Sequence, residues 1–337
     1  MNFRHRAKGV TLVELLVSIS IGLVIVGAMV ALYIATSRSY RQFEAMGQLQ
    51  SNARYVFEIM GYDIRMAGNM GCHTPAQPTP ANFVTNYSSN WWSNTDQPLR
   101  GFDNTADFPA DYKNKALRGD SVIVLRANPD EIAPGIVKSY WNNSEAPIEM
   151  QSGSFNPGSL LLLTDCRTTS SVFQSTSLDK NGPISHNKTT LAGPIAQDMA
   201  GAQVIQLSAN AYYLRESPYR YANSKQQIPS LYRQTLTSMN NTPPTGAEEL
   251  VSGVTDLQIR YGVDEDGNGV LDRYVDAKDV ADWRQVVAVR VTITLETTDD
   301  SVANESSSFT LGNGSVMTDR RLRRSYTATF GLRQRLS

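Results

Sequence analysis

Hydrophobic positions fall into three regimes along the chain. From Val10 to Ala35 the apolar run is almost unbroken, and Glu14 is its only strongly polar side chain. About 20 apolar residues are enough for a helix to cross a bilayer, so this run is long enough. Next, Phe43, Met46, Leu49, Ala53, Val56, Met60 and Ile64 recur at spacings of three and four, the period of an amphipathic helix. No proline interrupts Val10 to Met70. The two patterns together predict a single helix from about Val10 to about Met66, on the order of 85 Å long at 1.5 Å per residue. Gly68 and Gly71 serve as its stop signals.

Beyond the helix the apolar period shortens to that of strands. Short runs begin at Ser121–Leu125 and recur at Leu160–Leu163, Gln203–Leu207, Ala211–Leu214, Ser230–Arg233 and Leu257–Tyr261. A long alternating run follows at Val287–Leu295, and the last is Tyr326–Leu332. In the long run Val287, Val289, Val291, Ile293 and Leu295 share one face, as in a half-buried strand. Turn residues rather than helices separate these runs, so the expected fold is α+β: a long N-terminal helix packed on a large antiparallel β-rich head. The stretch 74–115 reads as an irregular loop, with Trp91 and Trp92 pinning it to the head, the alternative being a contact patch for a neighbouring subunit or a surface ligand. The expected divisions are a leader at 1–9, a membrane half of the helix at 10–35, an amphipathic half at 36–67, and a head at 68–337.

Charge then orients the molecule. Arg4, Arg6 and Lys8 precede the apolar run, and after Glu14 the next charge is Arg38. Positive flanks stay in the cytoplasm, which places the head outside it. A cleavable secretory signal has a shorter core and a small-residue site on its far side, whereas here the helical pattern continues without a break. A plain anchor accounts for the length but not for the acid. A carboxylate in hydrocarbon costs several kcal/mol unless it is paired, so an intramembrane acid calls for a function.

Composition narrows the field further. The formal net charge is -1 and 19% of residues are charged, which gives no reason to make nucleic acid the main partner. Arg320, Arg321, Arg323 and Arg324 could contact phosphates, but a charged strand edge that resists mispairing is the expected role. No GxSxG, HExxH or P-loop occurs, and His73 and His186 are the only histidines after the leader, so an enzyme is not expected.

The two cysteines, Cys72 and Cys166, lie in no CxxC pair. Outside the cytoplasm the expectation is a disulfide tying the end of the helix to a strand of the head, with two unpaired buried thiols as the alternative. Closing so long a loop is worth roughly 4 kcal/mol in the chain-entropy model.

The sharpest motif beyond the anchor is Asp264-Glu265-Asp266-Gly267-Asn268-Gly269-Val270-Leu271-Asp272. Asp264, Asp266, Asn268 and Asp272 occupy places 1, 3, 5 and 9 of an EF-hand-like calcium loop, Gly269 takes the turn position, and Val270 offers its carbonyl. Place 12 is Val275 rather than the bidentate Glu, so Asp276 or Asp279 would have to complete the shell. The flanks read as strands. A weak structural Ca2+ site and a solvated hairpin turn both remain open.

Basic leader, Gly9, uninterrupted apolar helix and Glu14 at the fifth place after the glycine together resemble the N-terminal signature of type IV pilins and type II secretion pseudopilins. The resemblance implies that a prepilin peptidase cuts between Gly9 and Val10 and methylates Val10. It also implies that Glu14 pairs with a neighbouring subunit's terminal amine. Val10 stands where the family usually has Phe. The runs Tyr261-Gly262-Val263-Asp264 through Asp272 and Trp283 to Val291, with the Cys72 region, are similar to the PilW group of minor type IV pilins. That likeness implies a structural subunit of a priming or tip complex serving pilus-dependent motility, adhesion or DNA uptake. Its implied partners are other minor pilins, the major pilin and the inner-membrane assembly machinery. The implied location is the bacterial inner membrane, N-terminus cytoplasmic and head periplasmic, and after assembly the surface pilus. The alternatives are a minor pseudopilin of the J kind and a membrane-anchored periplasmic enzyme.

Overall fold

The computed structural model describes residues 11–72, 79–84, 90–128, 132–138, 147–176, 181–186, 199–222, 224–235, 246–300, 302–303, 305–310 and 316–335. One continuous helix, α1 (Leu12–Arg65), runs for 54 residues, about 80 Å at the usual rise. It ends at Met66, and both Gly68 and Gly71 follow with positive φ. The Gly68 N–H turns into the head and donates to the Leu125 carbonyl at 2.9 Å.

The helix has two characters. Through its first half every large apolar side chain is exposed, and burial begins only at Ala45. Leu49, Ala53, Val56, Met60 and Ile64 are buried as the spacing predicts. Phe43 and Met46 are not: they stay 74% and 37% exposed. Among the described residues the first hydrogen bond between helix and head is at Gln42, whose Nε2 donates to the Val302 carbonyl at 2.9 Å. Phe43 sits about 200° and Met46 about 100° around the helix from Ala45, so neither points at the head.

Among the described residues the head is built from sixteen strands. A large sheet holds β1 (Ala81–Asn82), β2 (Leu99–Phe102), β3 (Ser121–Ala127), β4 (Gly135–Val137), β5 (Met150–Ser152), β6 (Leu160–Thr164), β7 (Ser170–Gln174), β8 (Gln203–Arg220), β9 (Gln227–Thr235) and β10 (Ala247–Ser252). A four-stranded sheet follows, ordered β12-β11-β13-β16, from β11 (Val254–Val263), β12 (Arg273–Val275), β13 (Val286–Glu296) and β16 (Arg323–Gly331). The hairpin β14 (Ser307–Thr310) and β15 (Val316–Asp319) stands apart. Among the described residues every strand pairing is antiparallel except β1 with β7.

β8 is the spine of the large sheet. Its 18 residues pair β6 and then β9 along one edge, and β4 and then β3 along the other. The expected pair of strands, Gln203–Leu207 and Ala211–Leu214, is therefore one strand. Ser208 and Asn210, the polar residues that separate the two apolar runs, are buried within it rather than turning the chain.

The main core lies where the apolar stripe of α1 meets both sheets: Val122, Val124 and Tyr212 from one side, Val289, Val291 and Ile293 from the other. The period-two face of the long run is buried as expected, from Val287 at 4% exposed to Leu295 at 0%. Gly61 allows the closest approach, since a Cβ there would lie 2.5 Å from the Phe330 ring. The 74–115 stretch is more ordered than its composition implies. It contributes β2, a short helix α2 (Ala110–Lys113) and the buried Trp92, while Trp91 packs half-buried against the same core. Residues 74–78 and 85–89 of that stretch lie outside the described residues.

Candidate functional site

The functional features lie along the helix and at the edges of the head that the helix supports. At its N-terminus Thr11 caps α1 and accepts from the Glu14 N–H at 3.3 Å. Glu14 reaches back, and its Oε2 accepts from the Thr11 N–H at 2.9 Å and the Thr11 hydroxyl at 3.0 Å. This is a capping box. Both bonds fall on one carboxylate oxygen, which leaves Oε1 for a further donor. Gly9 and Val10, the expected processing residues, lie outside the described residues.

The other end of α1 carries a feature that sequence patterning missed. Asp63 projects into the head, 2% exposed. Its Oδ1 accepts from Arg126 Nε at 2.7 Å, and its Oδ2 accepts from Asn210 Nδ2 and from the Tyr212 hydroxyl, each at 2.6 Å. Arg126 comes from β3 and the other two from β8, so one carboxylate clamps the helix to two strands. Burial, and then the Asp63 charge, push the Tyr212 hydroxyl well above its ordinary pKa, so it stays a donor. A signal was present in the sequence: Asp63 and Asn210 each interrupt an apolar run, and a polar residue on a buried face requires a partner.

Just past the helix Cys72 is bonded to Cys166, with their Cα atoms 5.3 Å apart. Cys166 sits in the turn between β6 and β7, not on a strand as expected, and has a φ of 59°. Asp165 organises this turn: its Oδ1 accepts from the N–H groups of Arg167, Thr168 and Thr169, each at 2.9 Å. Burial raises the Asp165 carboxyl, but those donors outweigh it and hold it below the ordinary range. The disulfide and the Asp63 clamp thus fix the same end of the helix to the same sheet.

The Asp-rich motif is the β11–β12 hairpin loop. Pairing of Val263 with Arg273 closes it, so its flanks are strands as predicted. Gly269 has a φ of +80°, the turn geometry expected of it. Asp264 is buried and accepts from the N–H groups of Gly267 at 2.8 Å, Asn268 at 3.2 Å and Gly269 at 2.7 Å. One carboxylate oxygen from each of Asp264, Asp266 and Asp272 falls within 4.8 Å of the others. The side chain of Asn268 is occupied by the Val270 N–H and by Asp266. Asp276 pairs with Arg260 at 3.0 Å and so is committed away from the loop. The geometry brings three of the predicted carboxylates together without a bidentate acid to complete them.

The C-terminal arginines divide into two kinds. Arg321 and Arg323 are drawn into the head, where they bond Asp319 at 3.1 Å and 2.7 Å, and Arg323 also bonds Glu296 at 2.7 Å. The Tyr221 hydroxyl donates to the same Glu296, and the Arg321 guanidinium lies 3.5 Å from the Tyr221 ring centre. Arg320 and Arg324 are exposed. β16 is an outer strand of its sheet, so its charged start lies on an edge, as expected.

A helix with an exposed apolar half and a half that forms the wall of a disulfide-tied β-rich head defines a class: the pilin-like subunits, each built on a membrane-length N-terminal spine. Two family models match this chain. That for the type IV pilus-assembly protein W, PilW, covers residues 211–334, from the middle of β8 through the four-stranded sheet. The prokaryotic N-terminal methylation motif covers residues 4–30. No curated protein matches the chain. A PilW domain behind a prepilin methylation motif supports a PilW-type minor pilin of the type IV pilus.

Proposed function

We propose that this minor pilin is a low-copy subunit of the complex that primes pilus assembly and caps the tip. It waits in the inner membrane with its N-terminus in the cytoplasm and its head in the periplasm. Prepilin peptidase removes residues 1–9, and the new amine at Val10 is methylated. In the priming complex Glu14 accepts the cationic terminus of a neighbouring pilin, and its own terminus is accepted in turn. An α-amine has an ordinary pKa near 8, so the terminus is cationic, and pairing removes the penalty of leaving two ions bare in oil. The pair permits one axial stagger between subunits.

The observation that carries this reading is the state of Glu14 itself. The only carboxylate in the apolar half is held at the helix start by Thr11 through one oxygen, and the other has no partner among the described residues. Low copy number follows from bulk. A head of about 270 residues has a radius of gyration near 18 Å, too large for every position of a thin filament.

Glu14→Gln tests the charge alone, because a glutamine at this position still completes a capping box. The variant should insert into membranes normally and be depleted from sheared pili. Recovery in pili at the wild-type ratio would reduce Glu14 to a helix cap. The mass of the mature N-terminal peptide, expected to begin at Val10, checks the processing independently.

The β11–β12 loop belongs to the same reading as a weak structural Ca2+ site, supported by the convergence of Asp264, Asp266 and Asp272. Side-chain oxygens of these three and the Val270 carbonyl would hold the ion. Without a bidentate acid the affinity should resemble that of extracellular modules, about 10⁻⁴ to 10⁻³ M.

A further inference from the structure

Three arginines line one cleft at the foot of the head, and none has an ionic partner among the described residues. The cleft encloses about 360 Å³. One wall is α1, with Tyr33 and Ile34 from the last turns of the apolar run and then Arg38 and Arg41. The other wall is the head, with Ala303 and Arg320. Backbone bonds hold this second wall in place, Ala303 donating to the Arg320 carbonyl at 2.7 Å and the Arg320 N–H to Asp300 at 3.0 Å. The bond from Gln42 to Val302 fastens that wall to the helix.

Depth decides what such a cleft can hold. Arg38 and Arg41 lie roughly 4–9 Å beyond Ala35 along the helix axis. That span is the headgroup layer, which adds about 5–7 Å to each side of the hydrocarbon. Tyr33 and Tyr40, 74% and 70% exposed, bracket it as interfacial aromatics do. Unpaired arginines on the translocated side run against the positive-inside bias, so they call for an anion there. Arginine forks match phosphate oxygens in geometry and charge. Carboxylates dominate the next groove up, which Arg41 also borders and where Glu44, Glu296 and Asp299 line a space of about 640 Å³. They disfavour an anion on that side and leave the membrane side to it.

We propose that this cleft binds the phosphate of a phospholipid headgroup, with Arg38 and Arg41 reaching it from the helix and Arg320 from the head. The site rests on the membrane-anchored reading above. A lipid held there couples the tilt of the head to the bilayer surface until the subunit is extracted into a filament.

The test is native mass spectrometry of the full chain in detergent, titrated with short-chain phosphatidylglycerol or with inorganic phosphate. A basic residue at an anionic surface contributes about fivefold in affinity. Arg320→Gln should therefore weaken lipid binding about fivefold, and the Arg38→Gln/Arg41→Gln pair about 25-fold. Arg54→Gln, an exposed helix arginine above the cleft, should change nothing. Among the described residues the Arg320 side chain makes no bond that holds the head, so near-ultraviolet circular dichroism should be unchanged in that variant. Wild-type binding by Arg320→Gln would overturn the proposal, because generic attraction to helix arginines would then suffice. So would inorganic phosphate binding as tightly as the lipid. Carbonate extraction of wild-type membranes keeps the two readings apart: a protein that washes off defeats the anchor itself, whereas one that stays but ignores the lipid defeats only the cleft.

Discussion

Replacing Asp63 with alanine should be among the most damaging single changes in the head. Its carboxylate is 3% exposed, and its ionic partner Arg126 is 8% exposed. Among the described residues, truncation leaves Arg126 with the Ala127 carbonyl at 2.9 Å, the Asn128 side chain at 3.4 Å and the Tyr62 ring 4.9 Å away, none of them charged. It also strips the acceptor from Asn210 and Tyr212. Removing one member of a buried pair costs about 3–5 kcal/mol because the other charge is left uncompensated. Most of that cost belongs to the stranded guanidinium, not to the bonds as such. The double variant Asp63→Ala/Arg126→Met should therefore regain a large part of the loss. Denaturant unfolding of the full chain in detergent, followed by tryptophan fluorescence, gives the four corners of the cycle. Coupling of 0.5–3 kcal/mol is the range for residues in contact, and a buried pair belongs near its upper end. Strictly additive losses, or an Asp63→Ala cost below about 1 kcal/mol, the size of an exposed pair, would refute the clamp.

Other outcomes follow from the same structure. Replacing Cys72 and Cys166 with serine opens a loop of 94 residues and should cost about 4–5 kcal/mol in the chain-entropy model, read as a fall in the denaturant midpoint. Asp120, whose Oδ2 accepts from the Ile259 N–H at 2.6 Å, is pushed up to about 7, by burial first and then by Asp103, Asp256 and Asp276. A carboxyl raised on folding stabilises fully below its unfolded pKa and loses that contribution as pH rises through the folded value. Asp120 should thus lower stability between about pH 4 and 7, by no more than about 1.4 kcal/mol per pH unit. Asp120→Asn should flatten that slope, and an unchanged profile would remove Asp120 as its source. Calcium added in the millimolar range should raise the melting temperature of the wild type but not of Asp272→Asn, and an equal response in both would leave the loop a plain turn. Deleting the gene should abolish pilus-dependent motility while sparing exoprotein release, the reverse pattern marking a secretion pseudopilin.

Two kinds of information separate in this molecule. Local pattern alone determined the long helix, its stop glycines, the membrane-length run with its single acid, the strand faces such as Val287 to Leu295, and the hairpin around Asp264. Each of these is written in residues close in sequence, where a period of 3.6 or 2 or a turn signal is legible. The tertiary structure decided what depends on a partner far along the chain. Phe43 and Met46 satisfy the helical spacing yet stay in solvent, because the head's first hydrogen bond to the helix among the described residues, at Gln42, decides which face is covered. Asn210 reads as a break between two strands and is instead the interior of one, because Asp63 from 147 residues away supplies its hydrogen bond. Arg320 and Arg321 are adjacent in the chain, yet one points into a cleft beside the membrane run and the other into a buried ion network. Spacing along a chain reports which side chains share a face; only the packed fold reports what that face meets.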